Sequence, residues 1–344
     1  YVVDAYSHNF LNKYYIDIYD LIKGEMIKSF QVNRINYGTN ECSIGILSDK
    51  KEIISEINYN ISRYNFEETK ISKYITVPYI GDMKISPDNQ YLYVHNEFNL
   101  CRIKANTGEI DYFLNPDDVG SEKIRPLAIN NECTKAVIST TDLNSKKYLK
   151  VVNLDTKTVE FTKPYEFDKE MIFKFSYDDK YLGIINQNNI NSIKILETDI
   201  YRTIDSFQVE TFIDINNIEF SHYKSEFIFG YSEDTYNQKI KIRDFIINEF
   251  LCEYENSSIT SVFKYDNNNH VIGNIKSGRN LHLFEPCMNE KPEYLLRFPS
   301  HISGLELSYD SRYIIGKTGY NEMIIFDLKT KEKIFIYCDF KLLI

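Results

Sequence analysis

"ISPDNQYLYVHNEFNLCRIKANTGEIDYF" occupies residues 85–113, and "LSYDSRYIIGKTGYNEMIIFDLKTKEKIF" occupies 307–335. Each opens with an apolar residue, Ser, a variable residue and Asp, then runs into an aromatic-led apolar segment. A chain that writes one sentence twice is built of repeated structural units. The opening recurs as "INNECTKA" (129–136), "FSYDDKYL" (175–182), "FSHYKSEF" (220–227) and "FKYDNNNHV" (263–271), and in a shorter form as "ILSDKKEII" (46–54). Its fourth position falls at Asp88, Glu132, Asp178, Tyr223, Asp266 and Asp310, in steps of 43 to 46 residues.

A second marker follows about 20 residues later in each unit: an alternating strand ending in a pair whose second member is usually an acid or amide. The pairs are Tyr19-Asp20, Tyr64-Asn65, Val152-Asn153, Leu196-Glu197, Arg243-Asp244, Phe284-Glu285 and Phe326-Asp327, with Lys104-Ala105 as a decayed eighth. Between the markers, "YLYVHNE", "NLCRIKA" and "EIDYFL" alternate with period two around "NEFN" and "NTG" turns. That alternation predicts half-buried strands. Asn, Asp and Gly suit the turns because they tolerate left-handed backbone or cap their own chain. No helical stripe competes. A period near 44 is long for a helical repeat like the tetratricopeptide and matches a four-stranded propeller blade. The predicted fold is therefore all-β, a β-propeller of four-stranded blades, eight in number with seven as the runner-up, in one domain over 1–344.

At this point the chain resembles the WD-repeat family of β-propellers. The Trp-Asp dipeptide is represented by Tyr-Asp and Phe-Asp pairs, most fully in "IDIYDLIKGEMI" (16–27) and "IIFDLKTKEKI" (324–334). The Gly-His dipeptide is missing and the chain has no Trp, so the His–Ser–Trp tether of well-formed repeats cannot be built. The resemblance implies a platform for protein partners.

The first unit (1–32) holds only three predicted strands. The tail "DFKLLI" (339–344) is expected to pair with it, closing the ring and covering sheet edges that would otherwise be exposed. The chain opens on Tyr1 within a predicted strand, which suggests a processed form or a piece of something longer.

Composition narrows the partners. The net charge is −10 and the isoelectric point is near 5.3. Nucleic acid and anionic membranes call for a basic footprint, so neither is expected. No apolar run reaches the length of a membrane span, and no signal peptide opens the chain. Six cysteines lie far apart, at 42, 101, 133, 252, 287 and 338, with no CxxC pair. Scattered in this way they read as unpaired, small buried hydrophobes, which predicts a reducing, cytoplasmic setting. The sequons at Asn60 and Asn256 are the chance product of an Asn-rich chain.

The sequence offers little chemistry. It contains no GxSxG, GxxxxGK, HExxH or GxGxxG, so no catalytic, cofactor-binding or metal residues are assigned and no cofactor is expected. His8 and His95 fall at matching places in two units, and a metal site there would need a third ligand. A repeat-derived turn explains them better. "NPDDVGSE" (115–122) and "DNNNH" (266–270) lack the alternating ligands of a calcium loop and read as turns. The expected function is a non-catalytic protein–protein interaction platform. Its expected partner anchors are Phe98, Tyr236 and Tyr320, aromatic residues placed in predicted turns. The alternative is a propeller enzyme, such as a lactonase-like hydrolase or a lyase, with polar residues converging at one mouth of the channel.

Overall fold

In a computed structural model of the chain, the described residues comprise the strands within 2–337 and most turns between 82 and 333, and the described side chains lie within 84–333. Thirty-one strands form eight antiparallel sheets, seven of four strands and the first of three. Every sheet is a meander whose sequence neighbours pair with one another. The described helical structure is a single 3₁₀ turn, Pro116–Val119. No helix of the described residues is long and apolar enough to cross a membrane. The fold is all-β, as the alternation predicted.

The chain divides into two compact units, Tyr1–Glu166 and Phe167–Ile344. The first holds sheets 1 to 4 (2–33, 44–76, 82–114 and 123–165), and the second holds sheets 5 to 8 (171–209, 215–256, 263–297 and 302–337). Within the second unit the first strands of sheets 5 to 8 lie against one another in succession. Sheet 1 has the three strands expected. The tail 339–344 lies outside the described residues, as do Cys42 and Cys338.

The two recurring motifs are the two turns at one end of each sheet. In the first turn, Ser86 Oγ donates to Asp88 Oδ1 at 2.6 Å and accepts from the Tyr91 N–H at 2.9 Å. Ser176 repeats both bonds with Asp178 and Tyr181, at 2.8 and 2.9 Å. Elsewhere another acceptor takes over: Asn130 Oδ1 receives the Thr134 and Lys135 N–H groups, and Asp266 Oδ1 those of Asn268 and His270. The turn therefore needs a short side-chain acceptor, which Ser, Asn and Asp all supply.

In the second turn the marker acid plays the same part. Oδ1 of Asn153, Asp244 and Asp327 each accepts two N–H groups from the residues that follow. Four residues beyond the marker position the backbone is left-handed, at Gly108, Lys157, Tyr201, Asn248 and Lys331, with φ between 52° and 76°. Only Gly108 adopts this without a steric penalty. A register shift interrupts the last hairpin of all eight sheets near the marker. Such a bulge sharpens the twist of the hairpin. In sheet 3 the marker position is taken by Lys104 rather than Ala105, because the Gly108 N–H closes the turn onto the Lys104 carbonyl at 2.9 Å.

One backbone hydrogen bond joins the two turns. The N–H groups of Ala105, Leu154, Thr198, Phe245 and Leu328 donate to the carbonyls of Gln90, Thr134, Lys180, Ser225 and Arg312, at 2.7 to 2.9 Å. Three sheets add side chains to this link, the first through Thr198 Oγ1, which donates to the Asp179 carbonyl at 2.6 Å. Arg312 grips Asp327 Oδ2 through Nε at 3.0 Å and a terminal nitrogen at 2.8 Å, and Ser225 Oγ donates to Asp244 Oδ2 at 2.9 Å. These contacts bind the two turns through side chains as well as backbone.

The cores lie between successive sheets: one between sheets 3 and 4, and others between sheets 5 and 6, 6 and 7, and 7 and 8. That is the nearest-neighbour packing of a repeat array. Gly316 in sheet 8 faces the Phe298 ring of sheet 7, so a side chain at Gly316 would strike that ring.

In the second unit three junctions are also linked at one recurrent position. Eight residues after the markers Glu197, Asp244 and Glu285 stand Asp205, Cys252 and Glu293, on the fourth strands of sheets 5, 6 and 7. Each bonds the third strand or following turn of the next sheet. Asp205 meets Arg243 in a buried bidentate pair at 2.6 and 2.9 Å. Cys252 forms a disulfide with Cys287. Glu293 pairs with Lys331 at 2.8 Å in the open. The Arg243 guanidinium lies between the Phe207 and Phe250 rings, 4.5 and 4.6 Å from their centroids.

The disulfide corrects the reading of every cysteine as unpaired. Its partners are 35 residues apart on different sheets, a spacing that carries no signal in sequence. Cys101 and Cys133 do match the expectation, being buried and not disulfide-bonded.

Arg243→Ala leaves Asp205 buried and unpaired, which is expected to cost roughly 3–5 kcal/mol, whereas Arg243→Met with Asp205→Leu recovers most of it; urea unfolding of the three proteins checks this. A cross-link closing a loop of this length contributes about 3–4 kcal/mol. Reductant is accordingly expected to lower the melting temperature of the wild type and leave that of Cys252→Ser/Cys287→Ser unchanged.

Candidate functional site

The first-to-second and third-to-fourth turns of a meander leave the sheet at the same edge, and in sheets 5 and 6 they are joined by the backbone bond described above, whereas in sheet 7 the donor position is Pro286, which has no N–H. In sheets 5 to 7 this edge is unusually apolar. Tyr177 and Tyr223, in the first turns, are 54% and 71% exposed, and Ile200, Ile246, Ile247 and Met288, in the second turns, are 51–63% exposed. Local geometry drives them outward. Asp244 Oδ1 draws in the Ile246 and Ile247 N–H groups at 2.8 and 3.2 Å, which ties the backbone of that turn to the marker carboxylate. The edge is continuous between sheets 5 and 6, where the Tyr177 and His222 rings stack at 4.4 Å. His222 Nδ1 is buried there without a hydrogen-bond partner. Such a contiguous apolar surface marks an interaction site.

Other candidate places are engaged in the fold itself. On the first strands of sheets 5, 6 and 7, Glu219 lies between Lys174 at 3.2 Å and Lys264 at 3.8 Å, a ladder of matched charge. Among the described residues no three His, Cys, Asp or Glu side chains are grouped to hold a metal. The two acidic stretches considered as calcium loops serve as turn caps: the Asn115 N–H donates to Asp118 Oδ2 at 2.8 Å, and Asp266 Oδ2 meets His270 Nδ1 at 3.0 Å. In the first unit an open cleft of about 830 Å³ lies between Pro116–Lys123 and Asp142–Asn144. Its Asp142 carboxylate already receives the Asn144 and Lys146 N–H groups.

Titration follows the turn chemistry. The Ser86 hydroxyl and then the Gln90 N–H hold the Asp88 carboxyl below its ordinary 3.8, and Arg312 does the same to Asp327. Burial pushes the Cys101 thiol up to about 12, which removes it as a nucleophile at neutral pH.

Phe98, Tyr236 and Tyr320 lie outside the described residues, as do the side chains of His8 and His95. Sequence reasoning missed Ile200, Ile246, Ile247 and Met288. A signal was there to be read: "DFIINE" (244–249) places two Ile inside a turn, where polar residues are the rule.

No family model matches the chain, and no curated protein matches it. Among solved structures, hydrazine synthase of Kuenenia stuttgartiensis is similar over 83% of this chain and 94% of that one, with a TM-score of 0.57 and 10% identity. The two share a fold. In all, 1581 solved chains match, a breadth at which likeness speaks of architecture and leaves activity open.

A carboxyl with a depressed folded-state pKa contributes stability that is whole above its unfolded value and is lost as pH falls through the folded one. Asp327→Asn is therefore expected to lower the urea midpoint at neutral pH, with the gap to wild type closing as pH falls below 3.8.

Proposed function

We propose that the chain is an eight-bladed β-propeller of the WD-repeat type that acts as a non-catalytic platform for a protein partner. The partner docks on the apolar turn edge of sheets 5 to 7. The observation that carries this reading is the run of exposed apolar residues in adjacent turns, Tyr177 and Ile200 on sheet 5, then Tyr223, Ile246 and Ile247 on sheet 6. Supporting the architecture are the eight meanders, the period near 44 residues and the succession of first strands in the second unit. Ring closure by 339–344 belongs to the same proposal, since it would cover two sheet edges. A cytoplasmic location was the expectation from scattered cysteines. The Cys252–Cys287 bond stands against it, because structural disulfides persist where thiols are oxidised.

Truncating central apolar anchors typically costs more than 2 kcal/mol of binding. Tyr223→Ala/Ile247→Ala is thus expected to lose cross-links to the native partner while unfolding at the wild-type urea concentration. Leu143→Ala, at an even more exposed apolar residue elsewhere, is expected to keep them. Cross-links indifferent to the double substitution would rule out docking at this edge.

A further inference from the structure

Among its described residues the edge of sheets 5 to 7 carries more carboxylates than cations, with Lys180 acting on both Asp178 and Asp199. Its described cations are matched: Lys180 with Asp178 at 3.0 Å, Arg202 with Glu197 at 3.2 Å, and Lys224 with Glu226 at 3.7 Å. Asp199, Glu249 and Glu285 are exposed and have no ion-pair partner among the described residues. Asp199 and Glu285 sit in second turns and Glu249 opens the fourth strand of sheet 6, each near an apolar side chain. Asp199 precedes Ile200, Glu249 follows Ile247 by two residues, and Glu285 precedes Met288 by three. The charge and the apolar surface are thus interleaved.

We infer that this edge selects a cationic, apolar segment of a protein partner, one in which Lys or Arg alternates with aliphatic or aromatic residues. The inference rests on the platform reading and adds to it the chemistry of the partner. Three features fit such a segment. The apolar side chains would be covered by its aliphatic residues, which is where association energy comes from. The unpaired carboxylates would meet its cations at the rim, raising the association rate and rejecting acidic competitors. The exposed Tyr223 ring offers a face on which an ammonium or guanidinium group can rest. Phosphate-bearing surfaces are repelled by the same carboxylates, so a protein segment is favoured over nucleic acid or an anionic lipid surface.

The test uses the full chain and a short fluorescent peptide of Lys alternating with Leu and Tyr, with a matched peptide carrying Glu for Lys. Anisotropy titrations are run on wild type, on Asp199→Lys/Glu249→Lys, and on Asp117→Lys/Glu122→Lys, which changes the net charge equally in the first unit. The Lys peptide is expected to bind wild type and the first-unit variant alike. Asp199→Lys/Glu249→Lys is expected to bind it at least about tenfold more weakly, a change of about 1.4 kcal/mol. The Glu peptide is expected not to bind. Equal loss in both charge variants would reduce the effect to net charge and overturn the inference, as would no loss in either. The platform reading fails separately. If Tyr223→Ala/Ile247→Ala retains the native partner, docking at this edge is wrong. If that variant releases the partner while Asp199→Lys/Glu249→Lys retains both partner and peptide, the edge docks a partner of other chemistry. Circular dichroism of each variant excludes unfolding as the cause.

Discussion

The backbone hydrogen bond between the two turns at one end of sheets 3, 4, 5, 6 and 8 is the constraint on which the rest of the structure depends. It fixes the distance between two segments some 15 to 20 residues apart in sequence, as in Ala105 to Gln90 and Phe245 to Ser225. Once that distance is fixed, the strands between the turns have no freedom to slip, because a one-residue slip would turn every apolar side chain to the wrong face. The residue that donates the bond also delivers a side chain to the core. Ala105, Leu154, Thr198 and Phe245 are all buried. A single position thus sets both register and packing, and the same bond brings the exposed side chains of the two turns together at one edge.

This explains which parts of the structure were legible. The turns were readable because their demand is narrow: a short acceptor at Ser86, Asn130 or Asp266, and a capping acid at Asp244 or Asp327. Few residue types meet it, so the period survives in the sequence even where other positions have drifted. The junctions were not readable. Asp205, Cys252 and Glu293 hold equivalent places, yet one forms a buried ion pair, one a disulfide and one an exposed ion pair. A requirement that three chemistries satisfy equally leaves no pattern to detect. Arg243 was hidden further by sitting where other units carry Val152, Leu196 or Phe326; its flat guanidinium packs between Phe207 and Phe250 as an apolar ring would.

The interaction surface was half-legible for a related reason. The sequence pointed to turns as the place where partners meet, and to aromatic residues as their anchors. It did not single out the turns whose apolar side chains are exposed. Ile246 and Ile247 look like strand residues until the Asp244 cap places them in a turn. Their exposure depends on a hydrogen bond, and composition does not report it.

The buried cysteines of the first unit have a use of their own. Cys101 lies in the third strand of sheet 3, fully enclosed, with its thiol pushed up to about 12. Cys133 sits in the first turn of sheet 4 with a left-handed backbone, its sulfur 3.8 Å from the Ile85 carbonyl of sheet 3. A thiol reagent reaches Cys133 only when the junction between sheets 3 and 4 opens, whereas Cys101, beside Val94, lies on the face of sheet 3 opposite that core. The two residues are therefore built-in clocks for local opening on the two faces of sheet 3, and the disulfide-bonded Cys252 and Cys287 stay silent in the same assay.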